Sequence, residues 1–564
     1  MVFATALAIQ VVGVIGSIFL YKHIGINPTG QALLGTAQLF LLIGSSINGI
    51  GDLRIGAAYT YFLARGKAAT DNTGTYILLR TMMVVAASVS LFVISPFAGI
   101  AEGAKLEVLG IFLCLPVLWS FSTVYNQMYI GLGNSLRAQF PTLVEALVRL
   151  PVLIYVAYDV RSLEGITLAY VIGASSSAIF SFSAVSSRIR RFALREATHL
   201  FRYAWPLMGG LMLNYLVTNM IPLVVSANLG PTQLSVFLTA NGWRVLVLSV
   251  PMAVATPLFP YLAGLHRQER YELVRSGTWN ALRYSAMLLV PGVVALVTYR
   301  YTFLNVFANR LYASSGAWPL AILVVAAIPL ALSQIILSAL DAIGRRRLEL
   351  YITGAQVAVL IVAVGLLMPP WGLLPAGLGI EAAAIAVLLS GIAALTLNTY
   401  FMETLIRVHI EPLSIARITV SAALSFATLS FVNRTKVFPV KSGVELLAAV
   451  FLGFVVYFVL LAVFGELTKE DLRRIGSSLS LPTWLYEPLG RLCRVATTPS
   501  LAPVDLARAP GLRSPEFPEP FTGTTELPTM SDADRPEGEA GNGDGSNGDP
   551  GSSSDADDRR AGPR

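Results

Sequence analysis

Five charges stand in or beside stretches that are otherwise apolar. Asp52 and Arg54 close the stretch NPTGQALLGTAQLFLLIGSSINGIGDLRIGAAYTYFLARGK (27–67), and beyond them two more apolar turns precede Arg65 and Lys67. Glu145 and Arg149 lie in a later run, and Arg244 lies about three turns into a long one. Charge near hydrocarbon is costly, so each of these needs a partner, water or a ligand. Asp52 and Arg54 read as an acidic–basic couple. Glu145 and Arg149 are four residues apart, so on a helix they share a face and can pair. The plain reading is a structural salt bridge and arginines that snorkel to the headgroups. The functional reading is a set of charged points along a polar pathway. A guanidinium fork pairs bidentately with oxyanions, which makes arginine the residue for an anionic cargo.

The elements that carry these charges are membrane spans. Charged residues make up 13% of the chain and hydrophobic ones 55%. A soluble globular chain carries about 25% charged residues. Apolar runs near 20 residues, each long enough to cross a bilayer, fall at about 2–21, 30–51, 76–98, 108–130, 139–158, 163–185, 206–226, 234–262, 282–300, 317–340, 351–368, 379–400, 414–432 and 443–465. The expectation is an all-α polytopic membrane protein of about fourteen helices. Pro251, Pro257 and Pro260 are expected to kink or shorten the run at 234–262. The first run lacks a basic start and a small-residue cleavage site, so it reads as an anchor and not a signal peptide.

Lys and Arg set the orientation. With both termini inside, the inner loops carry 15 basic residues, Arg54 set aside, against 7 in the outer loops. That bias places both termini in the cytoplasm. The net charge of +7 is therefore an orientation signal and not a nucleic-acid groove. Two cysteines and four histidines show no disulfide frame and no metal-ligand spacing.

The chain also repeats itself. Pro28-Thr29 and Pro231-Thr232 each open a run, and Thr36-Ala37 and Thr239-Ala240 recur at the same offset. GLGNSLR (131–137) echoes DAIGRRR (341–347), and Gly165-Ile166 echoes Gly379-Ile380. Six runs separate the repeats, so the halves share orientation about an axis along the membrane normal. The expected organisation is an N-lobe (1–185), a basic cytoplasmic linker (186–205), a C-lobe (206–400) and two further helices (401–467). A cytoplasmic amphipathic segment (468–495) follows, then a Pro/Gly/Ser/Asp-rich tail (496–564) that cannot bury a core. Two lobes facing each other leave a cleft that rocking opens to one side at a time. The two further helices read as a groove or, in preference, a packing brace. Asn433-Arg434-Thr435 fits a glycosylation acceptor in an outer loop.

GQALLGTAQ and GDLRIG in the first two runs resemble the Wzx-like polysaccharide transporters of the multidrug/oligosaccharidyl-lipid/polysaccharide exporter superfamily. So do FRYAWPLMGGLMLNYLVTNMIPLVVSANLGPTQLSVFLTANGWR (201–244), PLFPYLA (257–263), ALDAIGRRRLELYITGA (339–355) and TKEDLRRI (468–475). The resemblance covers residues 1–475. It implies an alternating-access flippase that carries a polyprenyl- or dolichyl-linked oligosaccharide to the outer face. Its implied partners are that lipid-linked oligosaccharide, membrane lipids and glycan-assembly enzymes, with no nucleic acid. It implies no cofactor beyond proton or sodium coupling.

Two departures stand out. Many relatives have a short basic leader where this sequence starts almost inside its first run, and Asn219 occupies the place where many carry an acid on the seventh; the lipid II flippase branch is further away, since the first run has no arginine before Lys22.

For a diphosphate-bearing sugar lipid the resemblance points to Arg54, Arg149 and Arg244 for the phosphates. It points to Asn214, Asn219 and Asn241 for the sugar hydroxyls. Asp52 and Glu145 are candidates for coupling or pairing. Two other classes stay open: a drug or small-cation exporter on the same fold, and a polytopic sugar polymerase or ligase. The arginines disfavour the first of these. The second would need a large extramembrane loop with catalytic groups, and the longest loops here are about 20 residues with no paired carboxylates.

Overall fold

The computed structural model describes residues 2–64, 71–96, 104–186, 194–205, 208–345, 347–368, 378–408, 411–435 and 442–467. The described residues are helical, with no strand among them. The amphipathic segment and the tail expected from 468 onward lie outside the described residues, as do 187–193 of the basic linker.

The first half comprises α1 (Val2–His23), α2 (Pro28–Ile50), α3 (Ile55–Ala64), α4 (Asp71–Ile94), α5 (Ala104–Phe112), α6 (Cys114–Gly131), α7 (Ser135–Ala138), α8 (Phe140–Tyr155) and α9 (Leu163–Ser186). After α10 (Leu194–Ala204) the second half comprises α11 (Met208–Arg267), α12 (Tyr271–Thr298), α13 (Arg300–Phe307), α14 (Arg310–Ala342), α15 (Arg347–Leu367) and α16 (Gly379–Phe401). Finally come α17 (Pro412–Thr435) and α18 (Gly443–Val463).

Twelve helices among the described residues are long and apolar enough to cross a membrane. The two further spans expected from sequence concern α1, which is apolar but shorter by that measure, and α11, which holds both the seventh and the eighth expected runs. α11 breaks at Gly230 (φ 82, ψ 173), and Pro231 starts the helix again. Glycine accepts the positive φ and proline suits a first helical turn. α2 opens in a related way, with the Asn27 side chain accepting from the Gly30 amide and Pro28 at the first position. The expected early end at Pro251, Pro257 or Pro260 is corrected: α11 runs past all three to Arg267, and its non-helical residue is Gly230. The Asn433 sequence lies in the last turn of α17, not in an outer loop.

Helices this apolar on every side need no water-facing stripe. Their serines and threonines satisfy themselves on the preceding turn: Thr36, Ser120 and Thr239 donate to the carbonyls of Ala32, Pro116 and Ser235. Large exposed apolar side chains such as Ile179, Phe451 and Val444, 68–78% exposed for the last two, are what a lipid-facing surface requires.

Each half has its own core. One apolar cluster joins α1, α2, α5 and α9 through Leu20, Phe40, Phe112 and Ala174. Another joins α11, α12, α14, α16 and α18 through Phe237, Val290, Leu323, Ala384 and Leu461. The neighbour pattern repeats: α9 packs on α6 and α8, and α16 packs on α14 and α15. The halves meet mainly through α2 against α11. Gly35 lies on the Pro231 carbonyl and Gly49 under the Tyr215 hydroxyl, so a side chain at either glycine would occupy its neighbour's space. α17 and α18 pack on α12, which is the place of a brace.

Candidate functional site

The break after α2 builds the first charged group. Residues 51–54 turn, with Leu53 and Arg54 both in the left-handed region (φ 43 and 61). Two non-glycine residues there store strain that the surroundings must hold. The turn brings Asp52 onto the start of α3, where both of its carboxylate oxygens accept from the Gly56 amide at 3.3 Å.

The expected Asp52–Arg54 couple is corrected. Asp52 pairs with Arg80 of α4. Arg80 is 1% exposed and also donates to the Asn48 carbonyl (3.0 Å) and to Asn48 Oδ1 (2.8 Å). Tyr76, one turn before Arg80, donates to Asp52 at 3.0 Å and stacks on Tyr59 with ring centroids 4.7 Å apart. Tyr59 shares a 2.8 Å hydrogen bond with Thr73. Leu200 and Ala204 of α10 are buried in the same cluster as Tyr59 and Tyr76, so the linker holds a docked helix and is not only a loop. Arg54 is left over: its buried Nε has no hydrogen-bond partner, and no ion pair holds it among the described residues.

The second group is the one the helical spacing foretold. Arg149 bonds Glu145 at 2.9 Å on one face of α8. Trp119 Nε1 donates to the same carboxylate at 3.3 Å, and the guanidinium lies 4.7 Å over the Tyr170 ring. Arg149 and Tyr170 border a pocket of about 20 Å³ with Gly13, Gly16 and Ser17 of α1. That volume is room for about one water.

The third group is on α11. Arg244 stands beyond the Gly230 break, half-buried, with its Nε enclosed and unpartnered, and no ion pair reaches it among the described residues. Asn241 is three residues earlier and therefore near it on the helix surface. Asn214 and Asn219 flank Tyr215, the residue seated on Gly49. No hydrogen bond occupies the three asparagine side-chain amides among the described residues, and Asn214 is exposed.

A family model described as a polysaccharide biosynthesis protein matches residues 73–316, a range that contains Arg80, Glu145, Arg149 and Arg244. Stage V sporulation protein B of Bacillus subtilis is 21% identical over 517 residues, 84% of this chain and 96% of that protein. A protein of Haloferax volcanii named "Probable low-salt glycan biosynthesis flippase Agl15" is 22% identical over 296 residues. That match spans 52% of this chain and 60% of the relative's own length. The fold is similar to that of the lipid II flippase MurJ in an inward closed conformation, with a TM-score of 0.67 at 11% identity, covering 82% of this chain and 98% of that one. An inward-facing multidrug resistance MATE transporter gives a TM-score of 0.58 at 13% identity, covering 71% and 94%. The chain has the fold that these two transporters share.

Two charge sites of this chain escaped the sequence reading. Arg80 was taken into the apolar run 76–98, although an arginine in the second turn of a span is as costly as Arg244 and asks for a partner in the same way. Glu466 follows α18, is 2% exposed, and binds Arg283 of α12 at 2.7 Å and Arg417 of α17 at 3.4 Å. Ser414 also bonds it. This cluster, two guanidinium groups on one buried carboxylate, ties α17 and α18 to the second half.

Proposed function

We propose that this protein is a flippase that moves a lipid-linked oligosaccharide, on a polyprenyl or dolichyl phosphate carrier, across the membrane for surface polysaccharide or glycoprotein assembly. The observation that carries the reading is Arg244: a half-buried cation in a spanning helix, with no ion-pair partner among the described residues and an unengaged amide, Asn241, one turn away. An unpaired arginine at mid-membrane costs roughly 2.5–3.5 kcal/mol. A diphosphate between the lobes would offset it, and the sugar hydroxyls would meet Asn214, Asn219 and Asn241. Arg54, also without an ion pair among the described residues, extends the cationic path, and Arg149 would join it only when Glu145 loses its charge. The family match and the glycan-flippase name of the archaeal relative support this cargo. A cationic-drug exporter, the other reading of the fold, gains nothing from an unpaired cation.

The protein works in the cell membrane with both termini cytoplasmic, which the 15-to-7 distribution of Lys and Arg supports. It hands its cargo to glycan-assembly enzymes on the outer face. Coupling to a proton or sodium ion would act at Glu145, whose loss of charge would free Arg149; Asp52 is already engaged by Arg80, Tyr76 and Gly56.

The test is transfer in vesicles. The purified protein is reconstituted with a polyprenyl-diphosphate oligosaccharide, and a membrane-impermeant hydrolase reads which leaflet the sugar occupies. Faster exchange between leaflets than in protein-free vesicles is expected. Protein-free rates together with transport of a cationic dye would overturn the reading in favour of a drug exporter.

A further inference from the structure

Asn309 immediately precedes α14 and uses both ends of its side-chain amide. Its oxygen accepts from the backbone amides of Leu311 (2.9 Å) and Tyr312 (3.3 Å), and so caps α14. Its nitrogen donates to the backbone carbonyls of Tyr21 and Gly25, each at 2.8 Å. Tyr21 is in the last turn of α1 and Gly25 is two residues past its end, where the helix supplies no further donors. One residue of the second half therefore satisfies two orphan acceptors of the first.

The surroundings concentrate contact between the halves at the same place. The Tyr312 ring lies 5.2 Å from the Tyr21 ring, and its hydroxyl shares a 2.7 Å hydrogen bond with Ser235 of α11. Gln38 donates to the Tyr21 hydroxyl at 3.0 Å. A Cβ on Gly25 would meet the Tyr312 ring at 2.8 Å, so the approach is tight. At the other end of α2, the contact is the Tyr215 hydroxyl against Gly49.

We infer that Asn309 is a latch: its amide fastens the two halves at the Tyr21 end of their contact and must let go for that end to open. The two roles of the side chain separate cleanly. The cap holds the residue rigid on α14, so the amide stays aimed at α1 and re-forms its bonds without a search. The latch half is two neutral hydrogen bonds, enough to bias an equilibrium by about tenfold or more and weak enough to break thermally. Nothing in the inference depends on the cargo.

The experiment uses the full chain in lipid nanodiscs, with Cys114 and Cys493 replaced by Ala and spin labels at the exposed positions Ile26 and Tyr301. Dipolar spectroscopy then reports the distance between the halves at this end. Asn309→Asp keeps the capping oxygen and loses the donor; Asn309→Ala loses both. The Asp variant should melt near the wild-type temperature and yet raise the ratio of long to short distances at least tenfold. The Ala variant should raise it similarly and melt lower. If the Asp variant keeps the wild-type distance distribution, whatever its melting temperature, Asn309 is a helix cap alone and the latch is refuted.

Discussion

Two regions of this protein treat buried charge in opposite ways. Along α4 and α8 the arginines are engaged: Arg80 with Asp52, Asn48 and Tyr76 around it, and Arg149 with Glu145, Trp119 and Tyr170. In the second half Arg244 lies in α11 without an ion-pair partner among the described residues. A paired charge in a membrane explains itself through its partner, since removing either member leaves the other stranded. An unpaired one needs something the chain does not supply. The difference separates charges that hold the fold from a charge that waits for a ligand.

The sharpest way to break that comparison is at Asp52. Asp52→Asn leaves Arg80, 1% exposed, without its carboxylate. Breaking a buried pair costs about 3–5 kcal/mol, so most folded protein should be lost, read as a drop in melting temperature and in monodisperse yield. Asp52→Asn with Arg80→Met should recover part of the loss. No recovery would mean that Asp52 matters through Gly56 and the turn, and not through Arg80.

Gly49→Val comes next. The new side chain would occupy the space of the Tyr215 hydroxyl, and overpacking of this kind costs roughly 1–3 kcal/mol. Tyr215→Ala in the same chain should restore stability, which a thermal melt can check. Glu145→Gln is expected to be milder, about 1–2 kcal/mol, because Arg149 is 20% exposed and keeps its contact with Tyr170.

These expectations also mark what the sequence could say. Apolar runs of about 20 residues located the spans because hydrocarbon forces every backbone group to bond within its own helix. The Pro-Thr repeat pointed to the second start at Pro231, and the spacing of Glu145 and Arg149 foretold their bond because an α-helix fixes which residues share a face. The partner of Asp52 was not legible. Arg80 is 28 residues away, and the choice of Arg80 over the adjacent Arg54 rests on a turn with two residues of positive φ. No propensity of Leu or Arg announces that conformation, since neither favours it. The docking of α10 was hidden for a similar reason: the linker's basic residues suggest an anchor and a surface helix, while Leu200 and Ala204 find their burial only in contact with residues of α3 and α4. Nor did three prolines end α11, because a helix packed along its length tolerates what an isolated one does not.

Arg244 decides the account. Arg244→Ala removes a cation that pairs with nothing described, so its melting temperature should stay within the range of about 1 kcal/mol of the wild type or rise slightly. Arg244→Lys keeps the charge and loses the fork, and should retain part of the activity. The direct measurement is the rate at which a polyprenyl-diphosphate oligosaccharide changes leaflets in vesicles carrying equal amounts of folded wild-type and Arg244→Ala protein. The account predicts that the Ala variant falls to the protein-free rate while its stability is kept. Exchange at the wild-type rate would contradict it and make Arg244 a snorkelling residue with no part in binding the cargo.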